Sequence, residues 1–295
     1  MADFDKDNST TEAEEVPAQD TNILTVLFFA DIVGKPGRQA MSHLCKQLRE
    51  KYRADMVIAN VENVAGGFGV TPEMSKKIFK YGVDVQTSGN HIWDRMDVQP
   101  YIRYEKRLIR PANYPSAAPG NGSYVFELFD TKVAVINVMG RTFMNISLDC
   151  PFRTVDGELA ALAQDIKIKI IDFHAEASSE KQGMLHFLDG RVSAIIGTHT
   201  HVQTADEKVT AAGTAYIGDA GMTGPHDSML GMRTEDALGR FLTGLPKRLS
   251  SASGDVKVCG VALKINKYDG KARSIERFRV DFDPESVEGL IENGD

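Results

Sequence analysis

The sequence predicts an α/β fold, and three observations carry that reading. Apolar runs alternate with helix-spaced segments, each pair separated by a polar or glycine-rich loop. The runs are continuous in apolar character, as in strands buried on both faces. The chemically unusual residues fall just past the ends of those runs, where open α/β sheets bind ligands. ILTVLFFA (23–30) is the first such run, followed by DIVGKPGR and the helix-spaced QAMSHLCKQLREKYR. ADMVIAN (54–60) is the second and leads into VENVAGGFGV, a loop with three glycines. Thr71-Pro72 then reads as an N-cap with proline at the first helical position, opening PEMSKKIFKYG. VDVQTSG (83–89) is a third strand that runs into NHIWDR. YVFELFD and KVAVINVMG are two more strands, and DGELAALAQDIK is helical. IKIIDFHAEA (168–177) is strand then loop, EKQGMLHFLDG is helical, and VSAIIGTHTHV (192–202) is again strand then loop. GTAYIGDAGMTGP (213–225) repeats the form, a helix follows near TEDALGRFLTGLPKRL, and KVCGVALKINKY with KARSIERFRVDFD closes the chain as a strand pair.

The chain has 295 residues, 42% hydrophobic and 25% charged, enough to bury a sizeable core without disulfides. Its net charge of -7 argues against an extended nucleic acid as partner, since that contact needs clustered Lys and Arg. No apolar run reaches the roughly 18 residues of a membrane span, and residues 1–20 lack the apolar stretch of a signal peptide. Residues 1–21 read as a disordered acidic tail, 22–285 as a single domain and 286–295 as a C-terminal tail. Cys45, Cys150 and Cys259 are odd in number, widely spaced and without a CxxC, which fits reduced thiols in the cytoplasm.

Seven strand-end positions form the candidate site: Asp31, Glu62, Asn63, Asn90, His174, His199 and His201. Each has a plainer reading. A strand-end Asp is commonly a helix N-cap. Glu62 and Asn63 are ordinary turn residues beside glycines. THTH serves equally as a strand with two His on one face. Together they weigh more, because a parallel sheet would bring five strand ends to one edge. The set holds two carboxylates, two amides and three imidazoles, and no thiolate. It differs from a closed structural zinc site, which favours Cys, and from the all-oxygen cages of Ca²⁺ or Mg²⁺. It suits Fe, Mn²⁺ or Zn²⁺. Seven ligands exceed one tetrahedral ion but suit two ions bridged by a carboxylate, the apparatus of in-line phosphoryl displacement.

These residues sit in DIVGKPGR, ENVAGGFGVT, SGNHIWD, RPANYP, VINVMGRTFM, DCPF, DFHAEASSEKQG, GTHTHVQTAD and IGDAGMTGPHDSMLGM. With those stretches the chain resembles the calcineurin-like metallophosphoesterases, and within them the YmdB family, from residue 24 to about 265. Three positions depart from the pattern. Val33 stands where the superfamily has His, with Asn63 as its substitute in this subgroup, and Ala30 and Val61 stand where Gly is expected. The resemblance implies a four-layer α/β/β/α metallophosphoesterase sandwich and a homo-oligomer. It implies one metal ion on Asp31, Glu62, Asn63 and His201, a second on Glu62, Asn90, His174 and His199, and an activated water as nucleophile. His91 would contact the substrate phosphate and protonate the leaving oxygen. The implied substrate is a small cyclic nucleotide of the 2′,3′ type. The same chemistry also serves a phosphomonoesterase or protein phosphatase, and a low-turnover protein that binds metal and nucleotide to regulate a partner belongs to a different class.

Other residues have narrower readings. Trp93 and Asp94 brace their loop, with orientation of His91 as the alternative for Asp94. Arg141 binds phosphate or makes a structural ion pair, and His226 lines the substrate entrance. His43 and His186 fit helix surfaces or packing. GKPGR (34–38) lacks P-loop spacing, and its glycines read as letting backbone pass near the metals.

Overall fold

A computed structural model describes residues 21–283. The tail expected over 1–20 and the last residues from 284 lie outside them. In chain order the elements are β1 (Ile23–Phe29), β2 (Asp31–Ile32), α1 (Gly34–Lys51), β3 (Met56–Asn60), α2 (Pro72–Lys80), β4 (Val85–Thr87) and α3 (Val98–Tyr101). There follow β5 (Ser123–Leu128), β6 (Thr131–Met139), α4 (Pro151–Ala161), β7 (Ile168–His174), α5 (Ser178–Leu188), β8 (Ala194–Thr198) and β9 (Lys208–Val209). The chain closes with β10 (Ala215–Ile217), β11 (Met222–Asp227), α6 (Thr234–Thr243), β12 (Gly254–Asn266) and β13 (Ala272–Phe282).

The strands form two sheets. One has the order β2-β11-β12-β1-β3-β4, with β13 also paired to β12; the other runs β5-β6-β7-β8-β10-β9. β1, β3 and β4 are mutually parallel, and so are β6, β7, β8 and β10. The period-2 pleat explains why the apolar runs are continuous. In β1, Leu24, Val26 and Phe28 face the second sheet and pack with Val133, Val135, Ile168, Ile170 and Ile196. Leu27 and Phe29 face outward onto Ala40, Met41, Cys45 and Leu48 of α1. β7 divides the same way, with Ile171 and Phe173 turned to Met184, Leu185 and Leu188 of α5. Helix, sheet, sheet and helix therefore stack as the expected four-layer α/β/β/α sandwich.

Several local expectations need correction. The candidate ligands come from two sheets, not from one parallel edge: β1, β3 and β4 belong to the first and β7 and β8 to the second. α1 begins at Gly34, so GKPGR is helix. A Cβ on Gly37 would stand 2.3 Å from the Thr223 carbonyl oxygen, so this glycine serves the packing of α1 on β11 rather than the metals. Gly34 is nearer the site, with φ of +61° and its N–H donating to the Asn63 carbonyl at 2.9 Å. α4 starts at Pro151, earlier than the DGELAALAQDIK pattern implied. Thr71 does cap α2, accepting from the Met74 N–H at 3.3 Å. Ala30 and Val61, the atypical positions, are fully buried in apolar clusters. Among the described residues no helix is long and apolar enough to cross a membrane.

Candidate metal centre

β1, β3, β4, β7 and β8 end at one place, and their following residues converge there. Glu62, His174 and His199 each bring a ligand atom within 4.8 Å of the others. His174 Nε2 lies 2.9 Å from Asn90 Oδ1, 3.2 Å from Glu62 Oε1 and 3.1 Å from His199 Nδ1. His201 Nε2 lies 3.1 Å from the Asn63 side-chain amide and 3.7 Å from Asp31 Oδ2. All seven strand-end residues are thus in one cluster. Asp31, Glu62, Asn63 and His174 are buried. Asp31 is not the cap of α1, because Val33 takes that position and Asp31 pairs with Met222 as strand. The THTH segment is not a continuing strand either. β8 stops at Thr198, and His199 and His201 have φ of +102° and +62°. Left-handed backbone at non-glycine residues costs on the order of 1–3 kcal/mol each and persists only where the surroundings impose it. Here the Asp31 carboxylate holds the His199 N–H at 2.9 Å, and Asp219 accepts from the Thr200 N–H and hydroxyl at 2.9 and 2.8 Å.

Each imidazole has one nitrogen committed outward. His174 Nδ1 donates to Thr198 Oγ1 at 3.0 Å, and that hydroxyl donates to Asp172 at 2.6 Å. His201 Nδ1 donates to the Leu230 carbonyl at 2.9 Å. His199 Nε2 lies 3.1 Å from the Glu176 carboxylate. These outer acceptors fix the tautomers so that the other nitrogen of all three rings faces the cluster, as a metal-binding histidine requires. Asp31 Oδ1 is buried there without a hydrogen-bond partner, which fits a carboxylate built to meet a cation. A Cβ on Gly89 would stand 2.3 Å from His174 Nε2 and 2.4 Å from Glu62 Oε2, so the space at the cluster depends on that glycine. The donor set and the unpartnered oxygen fit transition-metal ions.

The electrostatics agree. Burial raises Glu62, but His174 and the His91 N–H outweigh it and hold the carboxyl well below its usual range. Burial pushes Asp31 well above the usual carboxylate range, with Glu62 and Asp219 adding to it against His174. Burial lowers His174, yet Glu62, Asp31 and Asp172 overcome it and lift the imidazole to about 9. The buried carboxylates therefore draw positive charge to the point where the ligand atoms meet. Burial first, then His174, lowers His199 to about 3, so its nitrogen is a lone-pair donor at neutral pH.

His91 stands beside the cluster with its backbone N–H on Glu62 Oε2 at 3.1 Å. Its Nδ1 meets Asp94 Oδ2 at 2.8 Å, and Phe68 packs edge-on with ring centroids 5.1 Å apart. Asp94 therefore orients His91, the alternative reading for that residue, while Trp93 packs on Tyr114. Two expected substrate residues are not in the lining of this cleft. Arg141 is exposed, is absent from the lining of the cleft, and docks its backbone N–H on Glu180 at 3.0 Å, because the loop after β6 turns away over α5. His226 lines a neighbouring cavity with Cys259, and that cavity shares His201 and Leu230 with the cleft. His43 is tied to the Gln39 carbonyl within α1, and His186 is exposed.

Sequence reasoning missed the residues that hold the ligands. Lys181 forms a buried ion pair with Asp219 at 2.9 Å, and both side chains are almost without solvent contact. Asp172, Thr198 and Glu176 fix imidazoles, and Arg95 binds the Phe68 and Ala65 carbonyls at 3.1 and 2.7 Å. A lysine in a helix-spaced segment has no mark distinguishing it from a surface lysine. Asp219, in the glycine-rich GDAG, was the one with a readable signal.

A family model described as YmdB-like protein matches residues 27–278. The chain belongs to the YmdB-like family. It is 42% identical over 260 residues to a 2′,3′-cyclic-nucleotide 2′-phosphodiesterase of Bacillus subtilis (strain 168), covering 88% of this chain and 98% of that protein. Among solved structures, a hypothetical protein from Thermus thermophilus superposes with a TM-score of 0.83 at 37% identity, covering 88% of this chain and all of that one. A structure described as a novel phosphatase, from Mycoplasma pneumoniae, gives the same TM-score of 0.83 at 33% identity, covering 90% and 97%.

Proposed function

We propose that this YmdB-like protein is a metal-dependent phosphodiesterase that hydrolyses small cyclic nucleotides of the 2′,3′ type. The observation that carries the reading is the outward tethering of three imidazoles, which leaves one nitrogen of each aimed at two buried carboxylates. The name of the Bacillus subtilis relative supports the substrate class. Asp31, Glu62, Asn63 and His201 would hold one ion, and Glu62, Asn90, His174 and His199 a second, with Fe or Mn preferred and Zn compatible with the same donors. The Asn63 amide offers its oxygen by a flip about its last bond. Such ions, when bound, supply Lewis acidity toward a phosphoryl group and lower the pKa of water.

The chain's own residues do the rest. The buried carboxylates and fixed imidazoles preorganise the site and keep bulk water from its rear. His91 lines the cleft, and Asp94 occupies its Nδ1 and sets the ring. That leaves Nε2 as the atom that contacts the phosphoryl group and passes a proton to the leaving oxygen. The reading extends to a cytoplasmic homo-oligomer, consistent with free thiols at Cys45, Cys150 and Cys259. The test is metal analysis of the purified protein, followed by turnover of 2′,3′-cyclic nucleotides, bis(p-nitrophenyl) phosphate and p-nitrophenyl phosphate with added Mn²⁺. Two equivalents of metal and preference for the diesters are expected. Preference for the monoester would replace this reading with a phosphatase, and metal binding without turnover would replace it with the regulatory one.

A further inference from the structure

The cleft that contains Glu62, Asn63, His199 and His201 does not end at them. The same cavity, ≈ 550 Å³, continues between Phe68, Met229 and Met232 on one side and Ala237, Arg240 and Phe241 of α6 on the other. That volume accommodates a small organic ligand. A phosphoester occupies only the polar end, so the apolar part is shaped for whatever the ester carries.

The apolar part is built, not residual. Val33, Met222 and Met232, with Phe68 and Leu249 against them, form a small cluster apart from the three main cores. A Cβ on Gly67 would come 2.5 Å from Met232 Cε, so this glycine, at φ +95°, is what lets the methionine lie against the Phe68 loop. Arg95 fixes that loop through the Phe68 carbonyl. Opposite it, α6 buries no residue. Ala237, Arg240 and Phe241 are spaced i, i+3, i+4 and share the face toward the cavity. Phe241 is 77% exposed, an unusual place for a large ring beside a charged site. The helix is latched to its own return segment, by Arg240 on the Lys247 carbonyl and by Lys247 on the Glu235 carbonyl and the Asp236 carboxylate, rather than by core packing. Aromatic faces with thioethers recognise flat, polarizable rings. A ring joined to an ester held at the polar end would meet this recess, the cavity that shares Glu62, Asn63 and His91 with the site.

Resting on the phosphodiesterase reading above, we infer that Phe68 and Phe241 form a nucleobase subsite that stacks the base of a nucleoside 2′,3′-cyclic phosphate, and so determines specificity for nucleosides over simpler phosphodiesters. The test uses the full-length, Mn²⁺-loaded protein with adenosine 2′,3′-cyclic phosphate and with the base-free analogue, 1-O-methylribose 2′,3′-cyclic phosphate. The wild type is expected to prefer the adenosine substrate in kcat/KM by about tenfold or more, the order expected for one stacked base. Phe241→Ala should collapse that ratio through KM, and Phe241→Tyr should retain it. Because Phe241 is exposed, neither substitution disturbs the core. Equal kcat/KM on the two substrates in the wild type, or a ratio unchanged in Phe241→Ala, overturns this inference alone. No turnover of either substrate by the metal-loaded wild type overturns the phosphodiesterase reading and this inference with it.

Discussion

Gly89→Ala is the smallest change that should empty the metal centre. Gly89 precedes Asn90, and its φ is not in the left-handed region, so alanine is compatible with the backbone there. The new methyl, however, would stand 2.3 Å from His174 Nε2 and 2.4 Å from both Glu62 Oε2 and His174 Cδ2, where ordinary contact is 3.4–4 Å. Something must move by about 1 Å. Neither neighbour is a flexible end, because His174 is fully buried and tethered through Thr198 to Asp172, and Glu62 is 1% exposed. A misplacement of ~1 Å in a catalytic group costs on the order of 10²-fold in rate, and overpacking a buried site costs roughly 1–3 kcal/mol of stability. The expected result is a folded protein by circular dichroism, with bound metal measured by mass spectrometry well below wild type and kcat/KM down about 100-fold or more. Gly157→Ala is the matched control. Gly157 lies in α4 with nothing within 4 Å of its Cβ position, so alanine should leave metal and turnover alone and stabilise the helix by ~0.5–1 kcal/mol. Full metal content and turnover within about threefold of wild type in Gly89→Ala would refute the convergence of Glu62 and His174 on which the site rests.

Three further outcomes follow from the same geometry. Lys181→Met leaves the Asp219 carboxylate buried without its cation and should cost about 3–5 kcal/mol in urea unfolding; a loss below about 1 kcal/mol would mean that the pair does not brace the His199–His201 loop. Glu176→Gln removes the anionic acceptor from His199 Nε2 and should weaken metal affinity about 10–100-fold in a chelator competition, with unchanged affinity counting against the tautomer argument. His91→Ala should retain its metals while kcat falls about 10²–10⁴-fold, and retention of full turnover would remove His91 from proton transfer.

How legible the site was depended on the kind of residue. Asp31, Glu62, Asn90, His174 and His199 were readable because each is a polar residue ending an apolar run, a position where folding alone does not ask for it. Arg141 lies away from the cleft because a loop's direction after its strand is not encoded locally, and His226, read as part of a glycine-rich loop, falls instead in β11 beside a cavity that adjoins His201. The loop after β6 turns over α5 and takes Arg141 away, whereas those after β7 and β8 turn inward. Lys181, Asp172 and Glu176 left little local trace, since their roles depend on partners as far as 38 residues away.

Hydrophobic patterning and chain order determined the elements and the α/β class, because a pleat of period two with apolar residues on both faces has no stable solution except burial on both sides, while the four-layer stacking was implied only by the family resemblance. The ligand types were likewise determined by the chain alone, as side-chain chemistry is a property of the residue. Only the tertiary structure decided that two sheets, not one, deliver those ligands. It alone decided which imidazole nitrogen faces inward and that Phe68 and α6 extend the cleft beyond the metal residues. Those outcomes depend on the angle at which separately formed layers pack and on hydrogen bonds between residues distant in sequence.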